Sequence, residues 1–316
     1  MILCCGEALI DMVPSKNEGS FLPCIGGSPY NTAIAIGRLG VPVRFLGRLS
    51  TDFFGESLIK GLLDNNVGID LTARSPQNST LAFVKLEPGK EPAYIFYTEG
   101  TADRSFSMED LPEKLPPEIG CILFGSISLT MEPVASTIES LIFREAGRLV
   151  ISFDPNIRPF MIPDREAYLK RFEKWAAAAS IAKISEADFS FIYPDLSLED
   201  ALHKILSLGP RIAVTTLGKE GALALLRKDD GSLIRAQAPV VDVPVIDTIG
   251  AGDTFHGALL SWFELKGKMS QAGLASLSSE ELGEALFFAN KAASLVCSKQ
   301  GADPPTLAET EALAAK

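Results

Sequence analysis

Near its C-terminal end the chain reads Val245-Ile246-Asp247-Thr248-Ile249-Gly250-Ala251-Gly252-Asp253-Thr254-Phe255. The pattern predicts the end of an apolar strand, a turn of small residues and a helix that opens with an acidic residue, which is a repeating unit of α/β proteins. Small residues let successive backbone N–H groups converge on an anion, and the positive end of the helix dipole adds to their effect. The turn formed by Gly250, Ala251 and Gly252 therefore indicates a phosphate site.

Asp253 would lie beside that phosphate. Because like charges repel, a carboxylate in this place is better explained as a base for a substrate hydroxyl than as a binding group. Two structural explanations stay open, since Gly-x-Gly turns are common before helices and Asp is an ordinary helix-capping residue. The dinucleotide fingerprint is incomplete, with Phe255 at its third glycine, and no Gly-Lys pair of the chain completes a P-loop.

Apolar strand-like runs alternate with helical spacing outward from this stretch. The strand-like runs are Ile2 to Cys5, Arg44 to Gly47, Ile122 to Phe124, Leu149 to Phe153 and Arg211 to Thr215, and the helical patterns are Tyr30 to Leu39, Gly55 to Leu63, Val134 to Phe143, Tyr168 to Ile181 and Phe255 to Leu265. Such alternation predicts a single domain over residues 1–316, with a three-layer α/β/α core around a mostly parallel central sheet. The first helix is expected to have Ser28 as its N-cap and Gly40 at its end.

Two segments interrupt the alternation. Residues 11–25 and 80–97 are typical of short β-hairpins, the second with a turn at Pro88-Gly89. Strands inserted into an α/β core predict a small β-lid over the carboxyl edge of the sheet, where ligands of open α/β sheets bind. We expect Phe96 to face the substrate there. The exposed strand edges of such a lid favour a homodimer.

Composition excludes several classes of function. The chain has 316 residues, 47% hydrophobic and 22% charged, and its net charge of -11 opposes binding to nucleic acid or to an anionic membrane surface. No apolar run approaches the roughly 18 residues of a membrane span, and the N-terminus lacks the basic segment of a signal peptide, so we expect a cytoplasmic protein. The five cysteines lack C-x-x-C spacing and are predicted to be free thiols. The two histidines leave little for a zinc-histidine or Ser-His-Asp mechanism, and His256 is predicted to be a packed or capping residue.

A second motif stands near the start of the chain, where Gly26-Gly27-Ser28-Pro29-Tyr30-Asn31 joins the first hairpin to the first helix. Paired glycines allow a ligand to approach the backbone, and the amide of Asn31 can both donate to and accept from vicinal hydroxyls. Asp11, just after the first strand, could accept from two hydroxyls, or it could be a surface carboxylate of the hairpin. Together these residues favour sugar recognition.

The two motifs, Gly26-Gly27-x-x-x-Asn31 and Asp247-Thr248-x-Gly250-Ala251-Gly252-Asp253, stand in the order and separation of the PfkB (ribokinase-like) carbohydrate kinases, which the chain resembles over nearly its whole length. The resemblance implies an α/β/α core with a β-lid, ATP, a divalent metal such as Mg²⁺, and a sugar hydroxyl as nucleophile. It further implies a catalytic base (Asp253), an anion hole (the N–H groups of Gly250, Ala251 and Gly252) and a sugar site (Asp11, Gly26, Gly27 and Asn31).

Further matches follow along the chain. Thr216-Leu217-Gly218-Lys219-Glu220-Gly221 resembles the nucleotide-side loop of the family, in which Thr216, Gly218 and Gly221 would contact ATP, and Asn290 matches the residue beside the adenine. Phe153-Asp154-Pro155-Asn156-Ile157-Arg158-Pro159 is similar to the form in fructokinases and 2-keto-3-deoxygluconate kinases, where the arginine reaches the substrate or the transferring phosphate. A guanidinium suits both roles, because it stays charged and donates two parallel hydrogen bonds. A surface ion pair is the alternative for Arg158.

Two positions depart from the family pattern. Ser185-Glu186-Ala187-Asp188 stands where the family has Asn-x-x-Glu, so Asp188 is the expected contact of the divalent metal, directly or through water. Pro305 stands near the position of a serine that helps to hold a monovalent cation. Asp247 could still form part of such a site, and potassium is left open as a second ion.

The resemblance is greatest to fructokinases, which implies ATP-dependent phosphorylation of a primary hydroxyl and the conversion of D-fructose to fructose 6-phosphate. A 2-keto-3-deoxygluconate kinase is the near alternative, with Arg104 as the extra cation for a substrate carboxylate. A family member used for binding or assembly is the alternative of another class. Asp253 and the complete glycine turn argue against it, because a scaffold needs no base beside a phosphate site.

Overall fold

The computed structural model describes residues 1–15, 19–85 and 93–313. The strands of these residues are β1 (Ile2–Cys5), β2 (Leu9–Pro14), β3 (Phe21–Gly26), β4 (Val43–Leu46), β5 (Arg48–Ser50), β6 (Val67–Gly68), β7 (Ala73–Ser75), β8 (Thr80–Lys85), β9 (Ala93–Tyr97), β10 (Cys121–Gly125), β11 (Val150–Asp154), β12 (Ile181–Ser185), β13 (Ile212–Thr216), β14 (Ala222–Arg227) and β15 (Leu233–Ala238). The helices are α1 (Ser28–Arg38), α2 (Phe53–Asp64), α3 (Val134–Glu145), α4 (Arg165–Ala178), α5 (Glu186–Ile192), α6 (Leu198–Leu208), α7 (Ala251–Leu265), α8 (Gln271–Ser276), α9 (Ser279–Cys297) and α10 (Leu307–Ala312). Short 3₁₀ segments lie at Met108–Asp110, Ser126–Thr130, Pro159–Met161 and Gly218–Glu220.

The central sheet has the strand order β15-β14-β13-β12-β11-β10-β1-β4-β6 over the described residues. Every pair from β13 to β6 is parallel, whereas β14 and β15 continue the sheet as an antiparallel edge. The prediction of a mostly parallel sheet is confirmed. The antiparallel edge was not predicted from the sequence.

Alternation along β1 shows how the layers form. Ile2 and Cys4 point into a core shared with helices α1, α7 and α9, whereas Leu3 and Cys5 point into a core shared with α3, α4 and α6. Successive side chains of a strand face opposite sides of the sheet, so a strand that is apolar at every position needs helices on both sides. All four side chains are completely buried, and the three-layer α/β/α architecture is as predicted.

The two inserted segments combine into one four-stranded sheet, here called the lid, in the order β3-β2-β8-β9. Each segment supplies one antiparallel pair, and β2 and β8 join the pairs in parallel. The register sets Asp11 opposite Ala82, and Ala82 opposite Phe96, so the three residues form one row across the lid. The predicted turn at Pro88-Gly89 lies outside the described residues.

Two predicted element boundaries are wrong. The helical pattern of Tyr168 to Ile181 ends earlier, because Ala179 has extended backbone and Ile181 begins β12, where it lies opposite Ser152 and Ile212. The apolar residues Val245 and Ile246 are not the end of a strand. Both are 67% exposed, and the N–H of Ile246 donates to the carbonyl of Cys297 rather than to a neighbouring strand.

The predicted cap of the first helix is also wrong. Gly27, with φ of 110°, occupies the N-cap position of α1, and Ser28 is the first helical residue. Gly40 follows the helix end with φ of 76°, consistent with a stop signal. The shift by one residue frees the hydroxyl of Ser28 for a contact in the site described below.

The cysteines and His256 follow the sequence predictions. All five cysteines are free thiols, and Cys4, Cys5 and Cys121 are buried in the central sheet. His256 is completely buried within α7. Among the described residues, no helix combines the length and the apolar character that a membrane crossing requires.

Candidate active site

Two cavities meet at the start of α7. The first, here called the lid cavity, has a volume of about 340 Å³ and lies between the lid and the carboxyl edge of the central sheet; its walls are Glu7, Leu9, Asp11, Gly27, Ser28, Asn31, Tyr94, Phe96, Ser126, Ile127, Asn156, Arg158, Lys183, Thr248, Ile249, Gly250, Gly252 and Asp253. The second, here called the apolar cavity, has about 470 Å³; its walls are Thr216, Gly218, Lys219, Gly221, Val240, Val241, Asp242, Val243, Val245, Thr248, Ala251, Gly252, Phe255, Asn290, Ala293, Ser294 and Cys297. Thr248 and Gly252 belong to both walls. Two small molecules can therefore approach the same turn from opposite sides.

The turn between the cavities requires its glycines. Gly250 is the N-cap of α7 with φ of 75°, and a Cβ there would lie 2.7 Å from the Cβ of Ala302. The N–H of Ala251 donates to the carbonyl of Thr248 at 3.2 Å. The N–H of Gly252 belongs to the first helical turn, which has no carbonyl of the preceding turn to bond. An anion is a suitable acceptor there.

Asp253 is a buried carboxylate held by α1. Ser28 Oγ donates to its Oδ1 at 2.6 Å, and Asn31 Nδ2 donates to its Oδ2 at 2.9 Å. Burial raises the pKa of Asp253, and these two hydrogen bonds offset part of the increase. A carboxylate with a raised pKa accepts a proton more readily, which suits the predicted role as a base.

The predicted sugar residues assemble around Asp253. Asp11 reaches the lid cavity from β2, and burial together with the nearby charge of Asp253 raises its pKa to about 6, although Arg158 opposes the increase. Gly27 lies in the cavity wall, whereas Gly26 lies behind it, where any Cβ would overlap the carboxylate of Asp11. Gly26 therefore makes room for a ligand-facing side chain instead of facing the ligand itself.

Two aromatic side chains of the lid complete the wall. Phe96 and Tyr94 are stacked with ring centroids 6.0 Å apart, and Phe96 also stacks on Phe160 of the central domain at 5.8 Å. Flat apolar faces of this kind suit the C–H face of a sugar ring. Phe96 thus forms part of the wall of the lid cavity, and its contact with a substrate stays a prediction.

Arg158 also lies in the lid cavity. Its Nη1 donates to the side-chain oxygen of Asn156 at 2.7 Å and to the carbonyl of the same residue at 3.1 Å. Asn156 has φ of 36°, and the following N–H, that of Ile157, donates to Asp188 Oδ1 at 2.7 Å. Because the recorded hydrogen bonds of Arg158 go to neutral oxygens, its charge is available to an anion in the cavity.

The two predicted metal contacts have other partners. Asp188 belongs to the capping box of α5: its Oδ2 accepts from the N–H and the hydroxyl of Ser185, while its Oδ1 accepts from Ile157. It lies outside the walls of both cavities, so its oxygens do not fit a ligand of a divalent ion bound with ATP. Asp247 accepts from the N–H groups of Ile249 and Gly301 at 3.0 and 2.9 Å. Within the described ranges, no three His, Cys, Asp or Glu side chains cluster as a metal site.

The predicted nucleotide residues line the apolar cavity. Thr216 ends β13, Gly218 and Gly221 lie in the connection from β13 to β14, and Asn290 comes from α9. The amide of Asn290 donates to the carbonyl of Ala238 at 2.8 Å and to that of the next residue at 3.0 Å. This side chain therefore joins α9 to the end of β15 and shapes the cavity wall.

Several polar residues of the site were not assigned from the sequence. Lys183 and Asp154 form an ion pair of 2.9 Å, with both side chains 4% exposed, and His256 Nδ1 lies 3.4 Å from Asp154 Oδ2. Burial by itself raises the pKa of Asp154, but Lys183 and His256 together lower it. Glu7, buried in the lid cavity, accepts from the hydroxyl of Ser128. A charged residue inside an otherwise apolar strand is the signal that could have identified the Lys183–Asp154 pair.

A polar cavity and an apolar cavity that share a glycine turn are suited to an enzyme that brings two small molecules together. Residues 1–309 match the pfkB family of carbohydrate kinases, and the chain belongs to this family. A fructokinase of Rhizobium leguminosarum bv. trifolii is 39% identical over 285 residues, which cover 89% of this chain and 85% of the relative. The family resemblance inferred from the two motifs is thereby confirmed.

Solved structures agree with this assignment. A fructokinase from Xylella fastidiosa with bound ATP has a TM-score of 0.89 and 29% identity, covering 98% of this chain and 96% of that chain. A fructokinase from Vibrio cholerae O395 in fructose-, ADP- and calcium-bound form has a TM-score of 0.84 and 27% identity, covering 98% and 97%.

Proposed function

We propose that this chain transfers the γ-phosphoryl group of ATP to the 6-hydroxyl of D-fructose. The observation that carries the proposal is the buried Asp253 carboxylate in a polar cavity of about 340 Å³, next to the turn shared with a larger apolar cavity. The first cavity has the size and polarity for a monosaccharide, and the second suits a purine nucleotide. The names of the similar proteins support the same pair of substrates.

Sugar binding is assigned to the lid cavity. Asp11 accepts hydrogen bonds from sugar hydroxyls, Asn31 contributes its amide oxygen while its NH₂ group holds Asp253, and Phe96 packs on the ring. Binding in this way directs one primary hydroxyl toward Asp253. Closure of the lid excludes water, which limits hydrolysis of ATP.

The chemical step follows from this placement. Asp253 accepts the proton of the sugar hydroxyl as the oxygen attacks the γ-phosphorus, the bond from phosphorus to the bridging oxygen breaks, and ADP leaves. A general base of this kind contributes on the order of 10²–10⁴ in rate. The N–H groups of Gly250 and Gly252 and the guanidinium of Arg158 stabilise the charge on the phosphoryl oxygens, whereas the N–H of Ala251, predicted to join them, already donates to the carbonyl of Thr248.

The nucleotide is assigned to the apolar cavity, with Thr216, Gly218 and Gly221 along the phosphates and Asn290 beside the adenine. Mg²⁺ bound to ATP supplies charge neutralisation on the phosphates and commonly keeps several waters, so the proposal needs no dedicated protein cage. Asp188 is not a ligand of this Mg²⁺ in the proposal. A monovalent ion such as potassium near Asp247 stays a prediction.

Two further assignments complete the proposal. We infer a homodimer, because the edge strands of the lid, β3 and β9, expose apolar side chains, among them Leu22 (54%), Ile95 (64%) and Tyr97 (60%). We also propose the cytoplasmic location that the sequence predicts, and the net charge of -11 disfavours nucleic acid or an anionic membrane surface as a partner.

The alternative substrate, 2-keto-3-deoxygluconate, is less well supported. Arg104, the residue considered for its carboxylate, pairs with Glu99, donates to the carbonyl of Glu132 and lies outside the walls of the lid cavity. A purely structural role for the chain does not account for a buried carboxylate beside an anion-binding turn.

A substrate panel tests the proposal. ADP release from ATP is measured with fructose, ribose, 2-keto-3-deoxygluconate and adenosine, and we expect the highest kcat/KM with fructose. A higher kcat/KM with ribose or adenosine would refute fructose as the substrate but would leave the assignment as a kinase intact. No transfer to any acceptor, from a folded protein that binds ATP, would favour the non-catalytic alternative.

A further inference from the structure

Lys183 is a buried lysine whose ammonium group reaches the lid cavity. It belongs to β12 and is 3% exposed, and its Nζ lies 2.9 Å from Asp154 Oδ2. It is nevertheless one of the residues that form the cavity wall. The charge is therefore paired and held at the surface of the cavity.

The ammonium group lies where the two cavities meet. A Cβ placed on Gly252 would be 3.3 Å from Lys183 Nζ, and Gly252 borders both cavities. The same ammonium is close enough to Asp253 for each charge to influence the pKa of the other: Lys183 lowers that of Asp253, and Asp253 raises that of Lys183. The ammonium group of Lys183 therefore lies beside the turn that borders both cavities.

The surroundings of Lys183 leave it free to donate. An ammonium group has three N–H donors, and within the described part of the chain the recorded hydrogen bond of Nζ goes to Asp154. The ring of His256 lies beside Asp154, with its Nδ1 3.4 Å from Asp154 Oδ2, and its Nε2 is hydrogen-bonded to Ser152 at 2.7 Å. The chain of contacts fixes the position of a cation with unused donors beside the anion-binding turn.

We propose that Lys183 is a catalytic residue whose ammonium group donates to an oxygen of the phosphoryl group during its transfer from ATP to the sugar, and that Asp154 and His256 are positioning residues for it. The inference rests on the proposed function. Charge in phosphoryl transfer is spread over the three equatorial oxygens, and a fixed cation in a site without water stabilises that charge strongly.

The competing explanation is that Lys183 serves to neutralise the buried Asp154. Lys183→Met alone does not separate the two, because it leaves a buried carboxylate unpaired and is expected to unfold the protein. Asp154→Asn keeps the lysine, and the double variant Lys183→Met/Asp154→Asn removes both charges. Lys60→Met/Asp64→Asn removes an exposed pair of the same residue types on α2 and is the matched control.

The experiment compares kcat, the KM for fructose and thermal unfolding in these variants. We expect the double variant to fold like Asp154→Asn but to have a kcat lower by a further factor of at least about 10², the low end for the loss of one transition-state donor, with KM changed less than about threefold. The control pair should match the wild type. Equal kcat in Asp154→Asn and the double variant would overturn the inference.

Calorimetry supplies a readout that does not depend on turnover. With fructose present, binding of ADP with aluminium fluoride, which mimics the phosphoryl group in transfer, should weaken at least about tenfold from Asp154→Asn to the double variant, whereas binding of ADP alone should not change. Equal weakening of both would assign Lys183 to the nucleotide site and refute the proposal. A wild-type protein that phosphorylates no sugar would instead refute the proposed function.

Discussion

Asp253→Asn is the most informative change in the site, because the contacts of Asp253 predict that the variant keeps its fold. Ser28 donates to Oδ1 and Asn31 donates to Oδ2. In the variant the amide oxygen can accept from Asn31 while the new NH₂ group donates to the hydroxyl of Ser28, which accepts as readily as it donates. Both hydrogen bonds can therefore keep their geometry, and the variant loses only the carboxylate that accepts the proton of the substrate.

The expected loss of activity in Asp253→Asn follows from the role of Asp253 as a general base. Loss of a general base lowers kcat on the order of 10²–10⁴, which corresponds to about 2.7–5.4 kcal/mol in the activation free energy. Removing a negative charge beside the phosphate turn should leave ATP binding unchanged or tighter.

The pH profile gives a second result. Because the pKa of Asp253 is raised by burial, the carboxylate loses its charge, and with it the capacity to accept a proton, at a higher pH than an exposed Asp does. We therefore expect kcat of the wild type to fall on the acid side above the ordinary pKa of 3.8, and this limb to disappear in Asp253→Asn.

The assay combines steady-state kinetics from acid to neutral pH with calorimetric titration of ATP. Asp70→Asn, an exposed carboxylate paired with Arg44 far from both cavities, is the control and should match the wild type. A kcat of Asp253→Asn near that of the wild type would refute the assignment of Asp253 as the general base. Loss of folding would support the helix-capping explanation that the sequence left open.

Two further predictions concern the anion site. Arg158→Lys should lower kcat/KM at least about tenfold, because lysine keeps the charge but loses the two-pronged donor geometry. Arg165→Lys is the control, because its guanidinium donates to the carbonyl of Phe191 in α5 and lies outside the walls of both cavities; it should keep the wild-type kcat/KM. Equal activities of the two variants would show that Arg158 does not touch the substrates. Gly250→Ala should lower the free energy of unfolding by about 1–2 kcal/mol for its left-handed backbone and also lower kcat, because its Cβ would meet Ala302 and displace the turn. Gly40→Ala is the control, because Gly40 has the same left-handed backbone but an added Cβ would meet no atom within 4 Å. It should lower the thermal stability and leave kcat unchanged. A normal kcat in Gly250→Ala would contradict the assigned anion site.

Local patterns predicted the lid strands and a large part of the core, namely β1, β4, β10, β11, β13, α1, α2, α3, α4 and α7, but not the sheet strand β12 or the long helix α9. The alternation of strands and helices identified the parallel sheet, and the paired inserted strands identified the lid segments. The errors occurred where local pattern and burial disagree: Val245 and Ile246 are apolar but exposed, and Ile181 continues a helical pattern but pairs with two strands. Apolar character indicates which residues can be buried, whereas the packing of neighbouring strands decides which residues are buried.

The sequence by itself determined the parts of the site that depend on residue type within a short segment. The glycine turn before Asp253 requires residues that adopt unusual backbone angles or leave room for a ligand. This requirement can be recognised from a few adjacent residues of the sequence. The family resemblance rests on these segments. For the same reason, the sequence allowed a role to be proposed for Asp253, and the family resemblance added one for Arg158; both roles stay predictions.

Only the tertiary structure decided which side chains meet. Ser28 bonds a carboxylate 225 positions away, Lys183 pairs with Asp154 across two adjacent strands, and Asp188 spends both oxygens on a cap and a loop instead of facing a phosphate. A hydrogen bond or an ion pair requires atoms within about 3 Å. That proximity is set by the packing of helices on the sheet, because no pattern within a single segment encodes which distant segment will lie beside it.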